Sequence, residues 1–467
     1  MSFVSIEFAV LLATVLTLLF IFKGPSPRKY ILLTASCVFY AWWDWRFLGL
    51  LAFVTVLDYY ISQLLVHTDD QQRRKHLLWI SIVANLGFLG FFKYFNFFID
   101  SLNAAVQPFG WHLGTLSIVL PIGISFYTFE TLSYVIDVYH GVAKPAHSLV
   151  DYAIFISFFP RLVAGPIMRA TQFLPQLERG LILSIPNLVE GAQWFLRGLL
   201  KKMVIADNVA VMVDQIYAAP SVFSSGTVWL AVGAYSVQIL FDFSGYTDMA
   251  RGIGKMVGIE LPPNFNLPYT AQSLTEFWNR WHISLSTWLR DYLYISLGGN
   301  RKGRVRTYIN LMLTMLLGGL WHGASWNFVV WGGLHGLGLA LERLVYGKRP
   351  PQHDWKSPLA WIFSLFTALV VTLLWVPFRS PNWETTRIIF QKLFFVRMEY
   401  NIQWYYMWPI FAIPLIFIGG MLTRRFEWKW PILAMEKVYT PAVMLLQTLL
   451  VFYLAPVNAS PFIYFQF

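Results

Sequence analysis

The sequence of 467 residues is poor in charge and has only one cysteine. Asp, Glu, Lys and Arg make up 13% of the chain, whereas a soluble globular domain carries about 25%. The single cysteine, Cys37, excludes an internal disulfide framework and is expected to pack in its apolar run. Hydrophobic residues reach 57% and aromatic residues 18%. These proportions argue against a soluble fold and predict a protein embedded in a membrane.

Long apolar stretches account for most of the chain. The first, "VSIEFAVLLATVLTLLFIF", follows no basic residue and precedes no small-residue cleavage pattern, so we expect a retained membrane helix rather than a signal peptide. Many later stretches are shorter than the ~20 residues that span hydrocarbon. The sequence therefore predicts an all-α, polytopic integral membrane protein with eight to twelve spans, some short, tilted or re-entrant. No internal repeat or long linker divides it, which favours one domain over 1–467. The later stretches are 30–43, 47–66, 76–92, 118–136, 148–167, 192–214, 226–243, 308–320, 325–341, 357–377, 405–422 and 439–455.

The distribution of Lys and Arg predicts the orientation, because cytoplasmic loops are enriched in both. No Lys or Arg occurs between Tyr94 and Ala143, which indicates an external loop over 100–117. The net charge of +11 is then explained by cytoplasmic loops that face anionic lipid, and nothing calls for nucleic acid. The basic clusters that we expect on the cytoplasmic side are 23–29, 73–75, 197–202 and 280–306.

The polar residues concentrate in 242–335, which opens with "DFSGYTDMARG" and continues through "LPPNFNLPYTAQSLTEFWNRWHISLSTWLRDYLY". Ser273, with Glu276 three residues later, is typical of a helix start. The aromatic residues that follow recur every three or four positions and would share one face. We therefore predict an amphipathic helix at the cytoplasmic interface, with His282 on it.

A second histidine, His322, lies in "LGGLWHGASW" at the end of a predicted membrane helix. Polar side chains inside a membrane are often functional, but a packed core histidine is an alternative. The flanking glycines allow either a ligand or another helix to approach closely. His335 is a weaker candidate, and the other histidines lie in loops or at helix ends. No histidine pair has zinc-site spacing, so we predict no metal site.

Several of these segments resemble one family. "FDFSGYTDMA", "FWNRWHISLSTWLRDYLYISLGGNRKG" and "MLLGGLWHGASW" resemble the membrane-bound O-acyltransferases, in their bacterial branch that acetylates alginate. "PIGISFYTFETLSYVIDVY" and "FPRLVAGPIMR" are similar to that branch as well. The likeness runs from about residue 20 to 345 and implies a helical funnel whose catalytic core spans about 118–345.

The resemblance implies acetyl transfer from a cytoplasmic donor, acetyl-CoA, to a hydroxyl acceptor, with no bound cofactor. It implies that His322 is the catalytic residue, deep in the funnel, and that His282 is the second family histidine. A histidine suits the chemistry, because its unperturbed pKa of about 6.5 lets it accept the hydroxyl proton near neutral pH. Donors must also stabilise the oxyanion, and the nearby candidates are Trp321, Ser325 and Asn327. Four cations are candidates for binding the CoA phosphates, with lipid contact as their alternative: Arg280, Arg290, Arg301 and Lys302.

The acceptor is left open by the sequence. The resemblance implies O-acetylation of an extracellular or periplasmic polysaccharide such as alginate, cellulose or peptidoglycan, by a multi-pass protein of the bacterial inner membrane. We expect a periplasmic or membrane-anchored acetyltransferase as partner, so that contact with the polymer is indirect. The alternatives are a secondary transporter, which would predict inverted repeats, a scaffold of a secretion complex, and an acyltransferase of lipid or teichoic acid.

Overall fold

The computed structural model describes residues 1–347, 350–395, 409–427, 433, 437, 439–456 and 461–463. Secondary structure in this part of the chain is helical, with no β-strand. The all-α prediction is therefore confirmed. The chain divides into two compact units: unit 1 is Met1–Phe195 with Met249–Pro262, and unit 2 is Leu196–Asp248 with Pro263–Phe467. That 1–467 forms one domain stays a prediction.

Unit 1 is built from the first eight helices and a π-helical segment, Gly90–Tyr94. Helix α9 (Ile185–Leu199) contributes residues to both units, as does α11 (Ser225–Met256). The helices of unit 1 are α1 (Ile6–Ile21), α2 (Pro25–Asp44), α3 (Arg46–Val66), α4 (Gln71–Leu89), α5 (Phe95–Val106), α6 (Ile124–Tyr139), α7 (Leu149–Ser157) and α8 (Ala170–Arg179).

Unit 2 holds most of the polar segment 242–335, except Met249–Pro262. Its connections include two π-helical segments, Leu200–Ala206 and Leu289–Tyr294, a geometry that often marks functional positions. Its helices are α10 (Asp207–Ala218), α12 (Leu274–Arg280), α13 (Ile283–Trp288), α14 (Arg304–His322), α15 (Trp326–Tyr346), α16 (Pro358–Arg379), α17 (Trp383–Phe394), α18 (Pro409–Arg425) and α19 (Thr440–Leu454).

Five helical stretches in the described residues are long and apolar enough to cross a membrane. Several other predicted spans form shorter helices, such as the sixteen-residue α6 and the nine-residue α7, and part of the predicted segment 405–422, residues 405–408, lies outside the described residues. The protein is a membrane protein in which long helices are mixed with short ones, as predicted. The five stretches are Arg46–Val66, Gln71–Phe109, Ser225–Met256, Trp326–Tyr346 and Pro358–Arg379.

A polar cluster joins three helices inside unit 1. The carboxylate of Asp58, on α3, accepts hydrogen bonds from Ser81 Oγ at 2.6 Å and Asn85 Nδ2 at 2.8 Å, both on α4. Asn85 Oδ1 in turn accepts from Thr131 Oγ1 on α6 at 2.9 Å. Hydrocarbon offers no other partners for such groups, so these bonds hold the three helices together.

An ion pair is also buried in unit 1. The side chain of Arg161 is completely buried and pairs with Glu130 of α6. Its guanidinium lies 4.8 Å from the ring centroid of Phe155 and 5.0 Å from that of Phe173. Glu130 also accepts a hydrogen bond from the backbone N–H of Met168 at 3.3 Å. The ion pair, the contacts with the aromatic rings and the backbone hydrogen bond together hold the segment after α7 in place.

The basic cluster 197–202 differs from its prediction as a lipid-facing loop. These residues continue α9 into the π-helical segment Leu200–Ala206. Lys202 is buried and lies 2.6 Å from both Asp207 Oδ1 and Asp242 Oδ1. Lys201 Nζ lies 2.6 Å from Asp248 Oδ2. These lysines are therefore paired with aspartates of α10 and α11 instead of facing lipid, since a buried charge must be paired.

Candidate active site

Helix α14 ends at His322, as the sequence predicts. Its two glycines, Gly318 and Gly319, contact different parts of the structure. A Cβ on Gly319 would overlap the carbonyl oxygen of Phe328 and lie 3.1 Å from the α-carbon of Gly332, so Gly319 allows α14 and α15 to pack closely. The nearest atom to a Cβ on Gly318 would be Cδ1 of Leu289, at 3.1 Å. Gly319 therefore serves helix packing, whereas Gly318 faces the π-helical segment Leu289–Tyr294.

Aromatic rings enclose the imidazole of His322, which is only 4% exposed. Its ring centroid lies 5.0 Å from that of Trp331 on α15 and 5.3 Å from that of Phe378 on α16. The ring of Trp321 lies 5.1 Å away. All three rings meet the imidazole edge to face, at 90°, 72° and 78°. These three rings form an aromatic box that excludes water and fixes the orientation of the imidazole.

The second histidine breaks the helix on which it was predicted. His282 has φ 43° and ψ 54°, in the left-handed region, so the predicted single helix is divided into α12 and α13. Ser273 does start α12, with its Oγ accepting from the Glu276 N–H at 3.1 Å. Trp281 and His282 are buried rather than at an interface. A non-glycine residue with positive φ is strained, and such strain clusters at functional sites.

A distant segment holds His282 in this conformation. Asn264 accepts the N–H of Ile283 on its backbone oxygen at 3.0 Å, and its Oδ1 accepts the N–H of Ser284 at 3.0 Å. Asn266 donates its backbone N–H to Arg280 O at 3.0 Å. The sequence "NFN" therefore acts as a strap across the turn. These bonds compensate the cost of the left-handed residue.

The rings of His282 and His322 lie close together. The ring centroids of His282 and His322 lie 6.4 Å apart. His282 is completely buried, and this desolvation lowers the pKa of its imidazole to about 3. His322 lies in the last turn of α14, whereas His282 precedes α13, so the two imidazoles come from different helices.

A pocket of about 450 Å³ opens between α12, α13 and the π-helical segment on one side and α14 and α15 on the other. On α14 its lining includes Leu311, Thr314 and Met315. Gly318 and His322 follow at the same three- and four-residue spacing, so all five share one face of the helix. The pocket and His322 therefore lie along the same face of α14.

Comparisons with known proteins identify the family of this chain. A family model described as "MBOAT, membrane-bound O-acyltransferase family" matches residues 142–373. The chain is 48% identical over 377 residues to a protein named "Probable alginate O-acetylase" of Azotobacter vinelandii, covering 79% of this chain and 74% of that one. The chain belongs to the membrane-bound O-acyltransferase family. It is 38% identical to a "Peptidoglycan O-acetyltransferase" of Helicobacter pylori, covering 78% of this chain and 73% of that one.

A more distant relative is a "Teichoic acid D-alanyltransferase" of Streptococcus thermophilus, 28% identical and covering 59% of this chain and 72% of that one. Family membership makes the protein an acyltransferase and removes the secondary transporter and the scaffold as alternatives. In the described part of this acyltransferase, no three His, Cys, Asp or Glu side chains are grouped to hold a metal ion.

Two of the three candidate oxyanion donors are engaged in the local fold of the acyltransferase. Ser325 starts α15, and its Oγ accepts the N–H of Asn327 at 3.3 Å. Asn327 Nδ2 donates to Ser380 O at 3.0 Å. Trp321 packs against both histidine rings, with centroids 5.1 Å from His322 and 6.2 Å from His282.

The third buried histidine, His335, has a structural environment. Trp278 donates its Nε1–H to Nδ1 of His335 at 3.3 Å, so the proton of this imidazole lies on Nε2. The ring of Trp331 lies 4.9 Å from His335 and also contacts His322. His335 thus packs against Trp331 and helps to fix that ring beside His322.

The four candidate cations occupy different places in the acyltransferase. Arg290 lines the 450 Å³ pocket and pairs with Asp291 at 2.7 Å. Arg280 pairs with Glu276 at 2.7 Å beside the strap. Arg301 and Lys302 are exposed in the turn that follows Asn300, a residue of the pocket lining. That they bind donor phosphates stays a prediction for all four.

Several residues of the site were not predicted from the sequence. Arg343 and Glu342 of α15 line the pocket, and Glu342 also accepts the N–H of Leu274 at 2.7 Å, at the start of α12. Phe243 of α11 contacts His282, with ring centroids 4.7 Å apart. The repeated asparagines of "NFN" were a local signal that could have indicated the strap. The aromatic residues gave no such signal, because rings are common throughout this chain.

Proposed function

We propose that the protein is an O-acetyltransferase of the bacterial inner membrane that takes acetyl from acetyl-CoA at the cytoplasmic side and delivers it to an acceptor hydroxyl from the outer side. The observation that carries the proposal is a buried pair of histidines at the end of α14, with a pocket on the same helix face. Membership of the acyltransferase family supplies the reaction class.

In the proposed reaction His322 is the general base. The acceptor oxygen attacks the thioester carbonyl carbon while the imidazole of His322 takes the hydroxyl proton. The tetrahedral intermediate then collapses, the C–S bond breaks, and the proton passes to the departing CoA sulfur. The described residues offer no cysteine near this site, and the hydroxyl of Ser325 caps α15. Direct transfer to the acceptor is therefore favoured over an acyl-enzyme.

His282 has the supporting part in this proposal. It is neutral and rigidly held, and its ring lies too close to His322 for another side chain to come between them. A fixed imidazole here orients the acceptor and the thioester against the base, which lowers the entropic cost of reaction. Removing it should therefore cost less than removing His322.

The donor is proposed to occupy the 450 Å³ pocket. Its lining joins cations to neutral hydrogen-bonding side chains. Guanidinium groups bind phosphate through paired hydrogen bonds, so Arg290 and Arg343 suit the phosphates of CoA, while the pantetheine arm runs along α14 past Gly318. The polar lining residues also include Asn279, Ser286, Thr287, Tyr294 and Asn300.

Replacing Arg290 with glutamine should raise KM for acetyl-CoA by about tenfold and change kcat by less than about twofold. The lost contact is to a part of the donor that does not react, so it binds ground state and transition state equally. Initial rates in proteoliposomes with varied acetyl-CoA give both constants. Arg306, exposed on the first turn of α14, provides the matched control, and Arg306→Gln should leave KM unchanged. An unchanged KM in Arg290→Gln would remove this arginine from the donor site.

The double variant Arg301→Gln/Lys302→Gln tests the neighbouring turn in the same assay. A raised KM assigns these two cations to the donor as well. An unchanged KM, with activity that no longer depends on anionic lipid, assigns them to lipid headgroups.

The acceptor is proposed to be an extracellular polysaccharide of the alginate type, because two relatives bearing that name are 48% and 45% identical to this chain. A peptidoglycan acceptor is the second candidate, on the 38% identity to an enzyme of that name. In the described residues the connections between α-helices are at most seventeen residues long, too short to form a separate domain that could bind a polymer. A periplasmic or membrane-anchored acetyltransferase that carries the acetyl group onward is therefore part of the proposal. Loss of acetyl ester from one isolated polymer in a deletion strain would identify the acceptor.

The proposed orientation predicts which residues a labelling reagent can reach from each side of the membrane. In a Cys37→Ser background, a cysteine at Lys302 should react with an impermeant maleimide only from the cytoplasmic side. A cysteine at Trp111, which is 69% exposed, should react only from outside, because the basic clusters remain in the cytoplasm. Mass-tag gel shifts in intact cells and in inverted vesicles measure both. Labelling of residue 302 from outside would overturn the donor side.

A further inference from the structure

The segment "DFSGYTD" of α11 carries buried charge that the proposed reaction does not use. Asp242 is buried, and its Oδ1 lies 2.6 Å from Lys202 Nζ. The same ammonium lies 2.6 Å from Asp207 Oδ1. One ammonium group therefore contacts two buried carboxylates. A buried carboxylate in that position requires further hydrogen-bond donors.

A donor comes from the far end of the chain. Asp242 Oδ2 accepts the backbone N–H of Ile463 at 2.8 Å. Ile463 itself is buried, as is its neighbour Phe462. Residues 461–463 are thus held against α11 by a hydrogen bond that spans 221 positions of sequence.

Ring contacts continue from this anchor to the site. The ring of Phe462 stacks on Tyr246, with centroids 4.6 Å apart and planes at 26°, and lies 5.9 Å from Phe243. Phe243 meets the imidazole of His282 edge to face, with centroids 4.7 Å apart and planes at 81°. Phe265, next to the strap residue Asn264, lies 5.0 Å from Phe243. The ring of Phe243 is therefore held by Phe462 and Phe265, and it faces His282.

The glycine of the same segment brings α11 close to the anchor. A Cβ on Gly245 would lie 2.8 Å from Gly198 O and 3.0 Å from the backbone nitrogen of Lys202. Backbone approach of this kind needs the absence of a side chain. It brings Asp242 within reach of Lys202, so the charge cluster, the stacking of Phe462 and the position of Phe243 depend on one another.

We infer that residues 461–463 are a positioning element for the active site: anchored on Asp242, they press Phe462 against Phe243 and so hold His282 opposite His322. The inference rests on the proposed function of that site. Phe462 acts on His282 through Phe243, whose ring lies between them. Its loss should therefore alter the geometry of the reacting groups while the donor pocket, whose lining includes neither Phe462 nor Phe243, keeps its affinity.

Phe462→Leu is the first test, because it keeps apolar volume and removes the flat ring. We expect kcat to fall about 10–100-fold, since a displacement of about 1 Å in a catalytic group can cost that much, with KM for acetyl-CoA within about twofold of wild type. Phe462→Tyr, which keeps the ring, should restore kcat. Phe452, 77% exposed on α19, is the matched control, and Phe452→Leu should behave as wild type. A normal kcat in Phe462→Leu would overturn the inference, as would a loss confined to KM.

A second pair of variants isolates the anchor. Ile463→Pro removes the N–H that Asp242 accepts, whereas Ile463→Ala keeps that N–H and loses only side-chain volume. We expect kcat of the proline variant to fall at least about fivefold below that of the alanine variant, which corresponds to the loss of about one hydrogen bond's stabilisation. Equal kcat in the two variants would contradict the anchoring role.

A third readout does not depend on acetyl transfer. Diethylpyrocarbonate should modify His282 slowly in the wild type and several-fold faster in Phe462→Leu, measured by mass spectrometry against the exposed His112. Faster modification would support the positioning element even if the wild type used another donor, whereas equal rates would exclude it. A wild type inactive with acetyl-CoA, together with faster modification, would count against the proposed donor alone.

Discussion

Replacing His322 with alanine should leave the protein in the membrane at normal abundance and lower acetyl transfer by about 10²–10⁴-fold. The imidazole is the group in the box that can accept a proton, and the surrounding rings of Trp331 and Phe378 carry no base that could substitute for it. The void left by one imidazole is small, so folding should persist. Transfer of radiolabelled acetyl in proteoliposomes, at matched protein levels, measures the loss.

The control for this variant is His112→Ala, because His112 is exposed and distant in sequence from the site. It should retain full activity, and His282→Ala should fall between the two. The acid limb of the wild-type pH–rate profile should be absent from any residual activity of His322→Ala. Near-normal acetyl ester in cells that express His322→Ala well would show that His322 is a packed core residue and not the general base.

Replacing Glu130 with alanine should destabilise the protein by about 3–5 kcal/mol, because it leaves the completely buried guanidinium of Arg161 without its carboxylate. A loss of that size approaches the whole stability of many domains. We expect the protein to disappear from the membrane fraction, or to melt far below the wild type in detergent. Quantitative immunoblotting and a thermal shift assay give the two measurements.

A double variant separates unpaired charge from lost packing. Glu130→Leu with Arg161→Met removes both charges and keeps apolar volume, so it should recover much of the abundance. Glu178, a half-exposed carboxylate also in unit 1, is the matched control, and Glu178→Ala should cost less than about 1 kcal/mol. If Glu130→Ala and Glu178→Ala were equally abundant, the buried pair would have no part in stability.

Local sequence signals proved reliable where the cause of a structure is local. The start of α12 at Ser273 follows from one hydroxyl reaching the N–H of Glu276. The end of α14 at His322 follows from the glycine after it and the polar residues beyond. The predicted helix through His282 was wrong, because the break depends on Asn264, eighteen residues earlier. Spacing of aromatic residues alone cannot report such a contact.

By itself, the sequence determined that this protein lies in a membrane and that it is all-α, and its resemblance to a known family pointed to His322 and His282 as the histidines of the proposed chemistry. Low charge and long apolar runs decide the first two, because each reflects transfer of local segments into hydrocarbon. Only the tertiary structure decided that the two imidazoles lie 6.4 Å apart, and that Phe378 and Phe462 reach the same site. Those contacts join residues that are far apart in the chain. Their distances depend on how whole helices pack, and helix packing is a property of all the side chains at an interface together.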